Sequence, residues 1–210
     1  MKIEYYKQVE SIINKAKDLE PKINLIFFEG NSIISKLIKW FTRSSFSHVG
    51  FFLYDKYLIE AWANTRSFFN SIFGIFGACW QLTTFDYHEK GSKYVILSKK
   101  VKKSVYLNYL LLLEFIAKAR LPYDFKELFK FLTRRKEELS NGKFICSSGV
   151  SFILSFLKIF PEIPYYRQSP QDVYEIALAN GFKVTKEGKV KWVNLIWQIL
   201  YIKLLKMKKE

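Results

Sequence analysis

The stretch SHVGFFLYDKYLIEAW, residues 47–62, decides the fold of this chain. Two apolar runs, rich in aromatic and β-branched residues, flank the dipeptide Asp55-Lys56, and this pattern predicts a β-hairpin. Both faces of the two runs are largely apolar, so we expect the hairpin to occupy a covered, central position in a sheet. The rest of the chain must then supply the layers that cover it.

The connection of this hairpin decides whether His48 and Glu60 share a face of the sheet. With a regular two-residue loop, Glu60 lies opposite Phe51, and because side chains alternate, Glu60 and His48 then point to opposite faces. A three-residue loop or a bulge instead places Glu60 opposite Gly50, and both side chains then lie on one face. A site that uses both residues therefore requires a longer loop or a bulge.

The remaining pattern mixes helices and strands without a strict βαβ alternation, which predicts an α+β fold. Strands are predicted at 23–30 and 93–98, and a second hairpin at 182–193, turning at Lys186-Glu187-Gly188. Helices are predicted at 3–19, 33–41, 104–119 and 170–180, and another within 144–160 that begins at or just after Cys146, with caps at Asn31 or Ser32, at Ser104 and at Ser169. A last helix is expected from residue 194 onward.

Composition limits the class of protein. Of 210 residues, 50% are hydrophobic and 18% are aromatic, which excludes an intrinsically disordered chain. No run of 18 uncharged apolar residues occurs, so a membrane-spanning helix is not expected. The opening MKIEYYKQVE carries no apolar signal segment, so the default expectation is a cytoplasmic protein, with peripheral membrane contact left open.

The net charge of +15 indicates an affinity for polyanions such as nucleic acid, anionic lipid or anionic wall polymer. No nucleic-acid-binding motif is present, so no specific nucleic-acid partner is expected. Residues 181–210 carry eight lysines and two glutamates, with aromatic residues among them. This segment either lies on a membrane surface or packs its apolar face on the core, and the packed arrangement is favoured. A non-enzymatic protein that binds a membrane surface or polyanion is the alternative function.

Cysteine and histidine are scarce, with only Cys79, Cys146, His48 and His88 in the chain. No pair of them has the spacing of zinc ligands, so no metal or other cofactor is predicted. Two cysteines do not form a disulfide framework, and a reducing compartment suits them best. His88 lies in the polar stretch YHEKGS, and no role is assigned to it.

Three residues could carry nucleophilic chemistry. Cys146 stands where a helix is predicted to begin, and the free N–H groups and dipole there favour a thiolate and could hold an oxyanion. His48 offers a base with a pKa near neutrality, and Glu60 lies in an otherwise apolar strand, where a carboxylate needs a partner such as an imidazole. Taken singly, Cys146 could also be a buried structural cysteine and His48 a solvated histidine at a strand end.

These residues resemble a known family. SHVGFFLYDKYLIEA resembles the histidine motif of the NlpC-type papain-like cysteine hydrolases, in which a polar orienting residue follows the histidine after twelve positions. INLIFFEG (23–30) resembles the preceding strand, and LPYDF (121–125) with KFICSSGV (143–150) resembles the family's tyrosine and cysteine motifs. Because His48 precedes Cys146, the order is similar to the circularly permuted, YiiX-like group.

The resemblance covers about residues 21–180 and implies a permuted papain-like catalytic domain, with a small, mostly antiparallel sheet packed against helices. Residues 1–20 would be an N-terminal helix, and 181–210 a hairpin and basic helix packed on the same domain. The implied activity is that of a cysteine hydrolase or acyltransferase acting on an amide, ester or thioester bond. The partner would be a peptide-like or acyl-bearing small substrate, with peripheral contact to an anionic membrane or wall polymer possible.

The resemblance also implies roles for single residues. Cys146 would be the nucleophile, His48 the base and Glu60 the orienting residue, with Tyr123 beside the substrate. Two departures from the family pattern are Ser-Ser-Gly after Cys146 and Ile23-Asn24 in place of Gly-Asp, where Asn24 is expected to weaken a local turn.

The stretch 66–80 is an apolar loop that contains four phenylalanines: Phe68, Phe69, Phe73 and Phe76. We expect these rings to form a hydrophobic wall for the substrate, which favours an acyl chain over a wall peptide. The alternative is that the loop only packs under the sheet.

Overall fold

The computed structural model describes residues 2–62, 79–88, 90–121, 145–162 and 168–190. The five helices in these ranges are α1 (Lys2–Lys17), α2 (Ile33–Thr42), α3 (Lys103–Ala119), α4 (Cys146–Phe156) and α5 (Pro170–Ala179). The six strands are β1 (Lys22–Glu29), β2 (His48–Tyr54), β3 (Tyr57–Trp62), β4 (Cys79–Thr84), β5 (Lys93–Lys100) and β6 (Lys183–Lys189). A 3₁₀ turn, Phe85–Tyr87, follows β4.

The six strands form one sheet in the order β4-β3-β2-β1-β5-β6, and every neighbouring pair is antiparallel. The α+β class is therefore confirmed, and so is the antiparallel character of the sheet. The β2–β3 hairpin occupies inner positions of this sheet, as the apolar content of both its faces predicts.

The two faces of the sheet carry cores of different size. Alternate residues of β1 and β2, among them Leu25, Phe27 and Phe51, belong to the large core, which also contains residues of α1, α3, α4 and α5. The opposite face carries a smaller cluster: Ile26, Phe28, Leu58, Ile96 and Val190. The helices of the large core therefore lie on one side of the sheet.

Two of the three predicted helix caps are confirmed and one is wrong. Ser32 caps α2 by accepting from the Ser35 N–H, and Ser169 caps α5 in a reciprocal box with Asp172. The predicted cap at Ser104 is wrong, because the extended residue before α3 is Lys102 and Ser104 lies inside the first turn.

The predicted hairpin at 182–193 is also wrong. Lys186, Glu187 and Gly188 lie inside the single strand β6, which pairs along its length with β5. The open edge of β5 offers β6 a full ladder of backbone hydrogen bonds, and that long-range pairing prevails over the local turn signal. Likewise, the loop predicted for 66–80 runs too far, since Cys79 and Trp80 begin β4.

Several predictions lie outside the described residues. They concern Tyr123, the four phenylalanines of 63–78 and the helix expected from residue 194. None of the described helices combines the length and apolarity needed to cross a membrane.

Candidate active site

The β2–β3 hairpin contains the irregularity that the alternation argument requires. Tyr54 pairs with Tyr57 across a two-residue turn, but the register shifts by one residue before Phe52 pairs with Leu58. Leu53 is the extra residue, so the feature is a β-bulge rather than a longer loop. Beyond the bulge, the register places Glu60 on the same face as His48.

Asn24 of β1 holds the bulge from the neighbouring strand. Its side-chain amide lies 3.3 Å from the Phe52 carbonyl and 3.5 Å from the Leu53 carbonyl, and its Oδ1 accepts from Ser98 at 2.7 Å. The expectation that Asn24 weakens a local turn is therefore wrong. Its amide instead satisfies carbonyl groups that the bulge removes from regular pairing.

Gly50 of β2 leaves room for the side chain of Glu60, which lies opposite it on β3. A Cβ atom at Gly50 would lie 2.8 Å from the Cβ of Glu60, closer than any real contact between two such atoms. Only glycine lets the Glu60 side chain stand at this position between the two strands.

Glu60 is fully buried, with 0% of its surface exposed, and both of its oxygens are bound. Oε2 lies 2.7 Å from Nε2 of His48, and Oε1 lies 3.0 Å from Nε2 of His88. The Thr83 hydroxyl also donates to Oε1. These donors compensate for the loss of water around the carboxylate.

Cys146 is the first residue of α4 and is 6% exposed, and its sulfur lies close enough to the His48 ring to raise the pKa of that ring. Because Nε2 of His48 faces Glu60, Nδ1 is the ring nitrogen left for the thiol. The structure thus brings Cys146, His48 and Glu60 together in that order.

To bring Cys146 to His48, one would expect α4 to pack across the sheet face that carries His48, but the structure achieves this contact in another way. Val150 and Ile153 of α4 belong to the large core together with Phe51, on the opposite face. An apolar helix packs where the larger apolar surface is available. Cys146 and His48 each begin their element, so their side chains meet at the margin of the sheet.

The charges around His48 change its protonation. Burial alone would lower the pKa of His48, but the Cys146 sulfur and the Glu60 carboxylate raise that pKa to about 10. Burial raises the pKa of Glu60, but His88 and His48 outweigh it and hold that pKa below its ordinary value. With its pKa raised in this way, His48 is an imidazolium at neutral pH, ready to give a proton to a leaving group.

The start of α4 also offers hydrogen-bond donors to a developing oxyanion. The first backbone N–H groups of a helix have no partner within the helix. The hydroxyl of Ser147, next to Cys146, is fully buried and has no hydrogen-bond partner among the described residues. A carbonyl oxygen at this helix end would find donors already in place.

Sequence reasoning missed His88 and Thr83, which share Oε1 of Glu60. His88 follows the 3₁₀ turn and is 8% exposed, with its ring stacked on Phe28 at 3.6 Å between centroids. The scarcity of histidine is the one signal that could have pointed to His88. The chain has two histidines, and both contact the carboxylate of Glu60.

Cys79 offers an internal comparison for Cys146. It is buried and free, and its sulfur accepts from Nε of Arg120 at 3.4 Å. Among the described residues, Arg120 rather than a histidine is the hydrogen-bond partner of this sulfur, so Cys79 has no base in the place that His48 takes for Cys146. Within the same described ranges, no cluster of three His, Cys, Asp or Glu side chains suits a metal ion.

No family model matches this chain, and no curated protein is significantly similar to it.

Proposed function

We propose that the chain is a cysteine hydrolase or acyltransferase that acts through Cys146, His48 and Glu60. One observation carries the proposal: the His48 ring is hydrogen-bonded to a fully buried carboxylate and lies close enough to Cys146 for the sulfur to raise the pKa of the ring. The order of the sequence motifs, which resembles the permuted papain-like group, supports the same activity.

The chemistry would proceed in two steps. The Cys146 sulfur attacks a carbonyl carbon, the oxyanion forms at the start of α4, and the His48 imidazolium protonates the leaving oxygen, nitrogen or sulfur. A thioester between Cys146 and the acyl group remains. Neutral His48 then takes a proton from water or another acceptor, which attacks the thioester and releases the acyl group and the thiolate. Glu60 keeps the ring oriented throughout.

An apolar cavity next to the site favours an acyl-bearing substrate. A pocket of about 140 Å³ lies between α3 and α4, close to β4. Its lining is aromatic and aliphatic apart from one glycine: Trp80, Leu112, Phe115, Ile116, Leu121, Gly149, Phe152, Ile153 and Phe156. Such a lining suits a hydrocarbon chain better than a polar peptide.

The pocket lies along the helix that Cys146 begins. The lining positions Gly149, Ile153 and Phe156 follow Cys146 at steps of three, four and three residues, which keeps them on one side of α4. At about 1.5 Å of rise per residue, the lining starts about 4.5 Å along the helix from Cys146. An acyl group bonded to the sulfur could extend its chain into this pocket.

The activity would belong in a reducing compartment, because both cysteines are free thiols and the nucleophile must stay reduced. A cytoplasmic location fits that requirement. The proposed substrate roles of Tyr123, Phe68, Phe69, Phe73 and Phe76 stay predictions.

The test is hydrolysis of p-nitrophenyl esters of increasing chain length, with mass spectrometry of the acylated protein. We expect an acyl adduct on Cys146 and none on Cys79. A buried methylene contributes about 0.8 kcal/mol, so kcat/KM should rise up to about four-fold per added methylene until the pocket is full.

Two variants sharpen this experiment. Phe115→Glu, at the exposed rim of the pocket, should reduce turnover of the octanoyl ester but not of the acetyl ester. Leu37→Glu, at a position on α2 that is also exposed and does not line the pocket, should affect neither. Equal turnover by the wild type and Cys146→Ala would refute the proposed activity, and an absence of chain-length dependence would refute the acyl preference.

A further inference from the structure

His88 lies behind the three residues of the proposed mechanism and contacts Glu60 directly. Its Nε2 is 3.0 Å from Oε1 of Glu60, while Nε2 of His48 is 2.7 Å from Oε2. The carboxylate is thus held between the two histidines of the chain, with one on each oxygen. Whether neutral with Nε2 protonated or charged, His88 can donate this hydrogen bond.

Aromatic rings fix His88 and close the space around the carboxylate. The His88 ring stacks on Phe28 with an interplanar angle of 11°, and Trp62 packs edge-on against it at 4.8 Å. Trp62 also contacts His48 at 6.3 Å. Interactions with the carboxylate are stronger in such a setting, because little water screens them.

The carboxylate of Glu60 needs this second histidine. A buried charge is stable only when hydrogen bonds satisfy it, and Thr83 is the other described donor to Oε1. Without His88, the plane of the carboxylate would be fixed by Thr83 and His48 alone. The hydrogen bond between Oε2 of Glu60 and Nε2 of His48 would then be less well directed. The orientation of Nδ1 of His48 toward Cys146 would be less fixed as a result.

We propose that His88 is a positioning residue, which fixes Glu60 so that His48 is held against Cys146. This inference rests on the proposed function and extends the site to four residues: Cys146, His48, Glu60 and His88. His88 does not touch the reacting atoms, and it acts through Glu60 alone.

The first arm of the test is NMR of the histidine rings and does not depend on activity. It uses the Cys146→Ala background, where Glu60 and His88 are the titratable groups that the described residues place next to His48. His88→Phe keeps a ring to stack on Phe28 but removes the donor, and because the hydrogen bond between Glu60 and His48 then loses its fixed geometry, we expect the pKa of His48 to shift. His88→Gln retains a donor and should restore most of the difference.

The second arm is turnover in the protein with Cys146 intact. His88→Phe should lower kcat about 10- to 100-fold with little change in KM, since a hydrogen bond to a charged group is lost without contact to substrate. His88→Gln should recover most of kcat. Ser92→Ala, a buried neighbour whose hydroxyl has no partner among the described residues, is the control and should be unaffected.

The outcomes separate the two proposals. An unchanged His48 titration in folded His88→Phe would overturn the role of His88, and so would a normal kcat despite an altered titration. A wild type that turns over no better than Cys146→Ala would instead refute the proposed function, while the titrations would still decide whether His88 positions His48. Circular dichroism identifies variants that do not fold, and in that case His88→Gln carries the comparison.

Discussion

At the scale of single residues, the site depends on how His48 is charged. Burial opposes a charge on this ring, yet the Cys146 sulfur and the Glu60 carboxylate raise its pKa to about 10. These two partners therefore outweigh desolvation. An imidazolium in this position can stabilise an anionic sulfur and later protonate a leaving group. His48 would therefore transfer protons, whereas Glu60 would only orient the ring of His48.

His48→Ala should reduce kcat/KM more than Glu60→Gln. Removal of the ring eliminates proton transfer, which contributes about 10²- to 10⁴-fold. Glutamine keeps the shape of Glu60 and part of its hydrogen bonding, so we expect a loss of about 10- to 100-fold. Steady-state kinetics on the preferred ester measures both. A loss in Glu60→Gln as large as that in His48→Ala would contradict the orienting role.

At the scale of secondary structure, the bulge in the β2–β3 hairpin sets the site. One extra residue, Leu53, brings Glu60 to the face of His48, and Asn24 binds the bulged backbone from β1. In the same way, α4 places its first residue beside His48 and its later turns beside the apolar pocket. Substitutions in the bulge, at Asn24 or along α4 should therefore affect the site although they leave Cys146 and His48 unchanged.

Asn24→Leu should lower both the free energy of unfolding and the turnover. The carbonyls of Phe52 and Leu53 lose their amide partner, which costs about 1–3 kcal/mol, and the register that holds Glu60 relaxes. Ser98→Ala removes the bond to Asn24 but leaves the bulge contacts, so it should lower stability and spare turnover. Urea unfolding and kinetics measure the two effects. Unchanged turnover in Asn24→Leu would show that the bulge does not depend on it.

Gly149→Ala should destabilise the protein although alanine is the better helix former. The new Cβ would lie 2.2 Å from a ring carbon of Trp80, which is 1% exposed, so the indole ring would have to shift. Overpacking costs about 1–3 kcal/mol and exceeds the gain of about 1 kcal/mol from helix propensity. We expect a lower free energy of unfolding in urea titrations. An increase of stability by about 1 kcal/mol would mean that Trp80 moves aside freely.

At the scale of the whole molecule, the buried pair of Glu60 and His48 links folding to pH. Glu60 has a pKa below its ordinary 4.5, so its contribution is present above that value and is lost as pH falls. His48 has a pKa raised from 6.5 to about 10, so its contribution is complete below 6.5 and is lost as pH rises toward 10. The pair should stabilise the fold most between about pH 4.5 and 6.5.

Urea unfolding of the wild type and Glu60→Gln from pH 4 to 10 tests this linkage. The difference in unfolding free energy should be largest between about pH 4.5 and 6.5 and should shrink on both sides. Glu20→Gln, which removes an exposed ion pair with Lys100, is the matched control and should give little pH dependence. A difference that does not vary with pH would mean that Glu60 and His48 are not charged partners.

Much of the site was predictable where the argument is local. Alternation over residues 47–62 is enough to require a bulge or longer loop, because the period of a strand is two. The start of α4 at Cys146 follows in the same way from the apolar run after it. These features depend on residues close together in sequence.

The features that the sequence did not predict depend on distant pairing. Asn24 meets the bulge 28 positions further along the chain, and β6 replaces a local hairpin because β5 has an open edge. His88 reaches Glu60 only because β4 and the 3₁₀ turn bring it back beside β3. None of these contacts has a signature in the residues immediately around it.

The most direct test of Cys146 as an activated nucleophile is its alkylation by iodoacetamide across pH 5–9, with mass spectrometry to distinguish it from Cys79. An ordinary thiol is mostly protonated below about pH 8.5 and reacts slowly there. We predict that Cys146 reacts faster than Cys79 at pH 6, and that His48→Ala removes this advantage. If Cys146 follows the pH dependence of an ordinary thiol in both proteins, or if Cys79 reacts first, the central claim is contradicted.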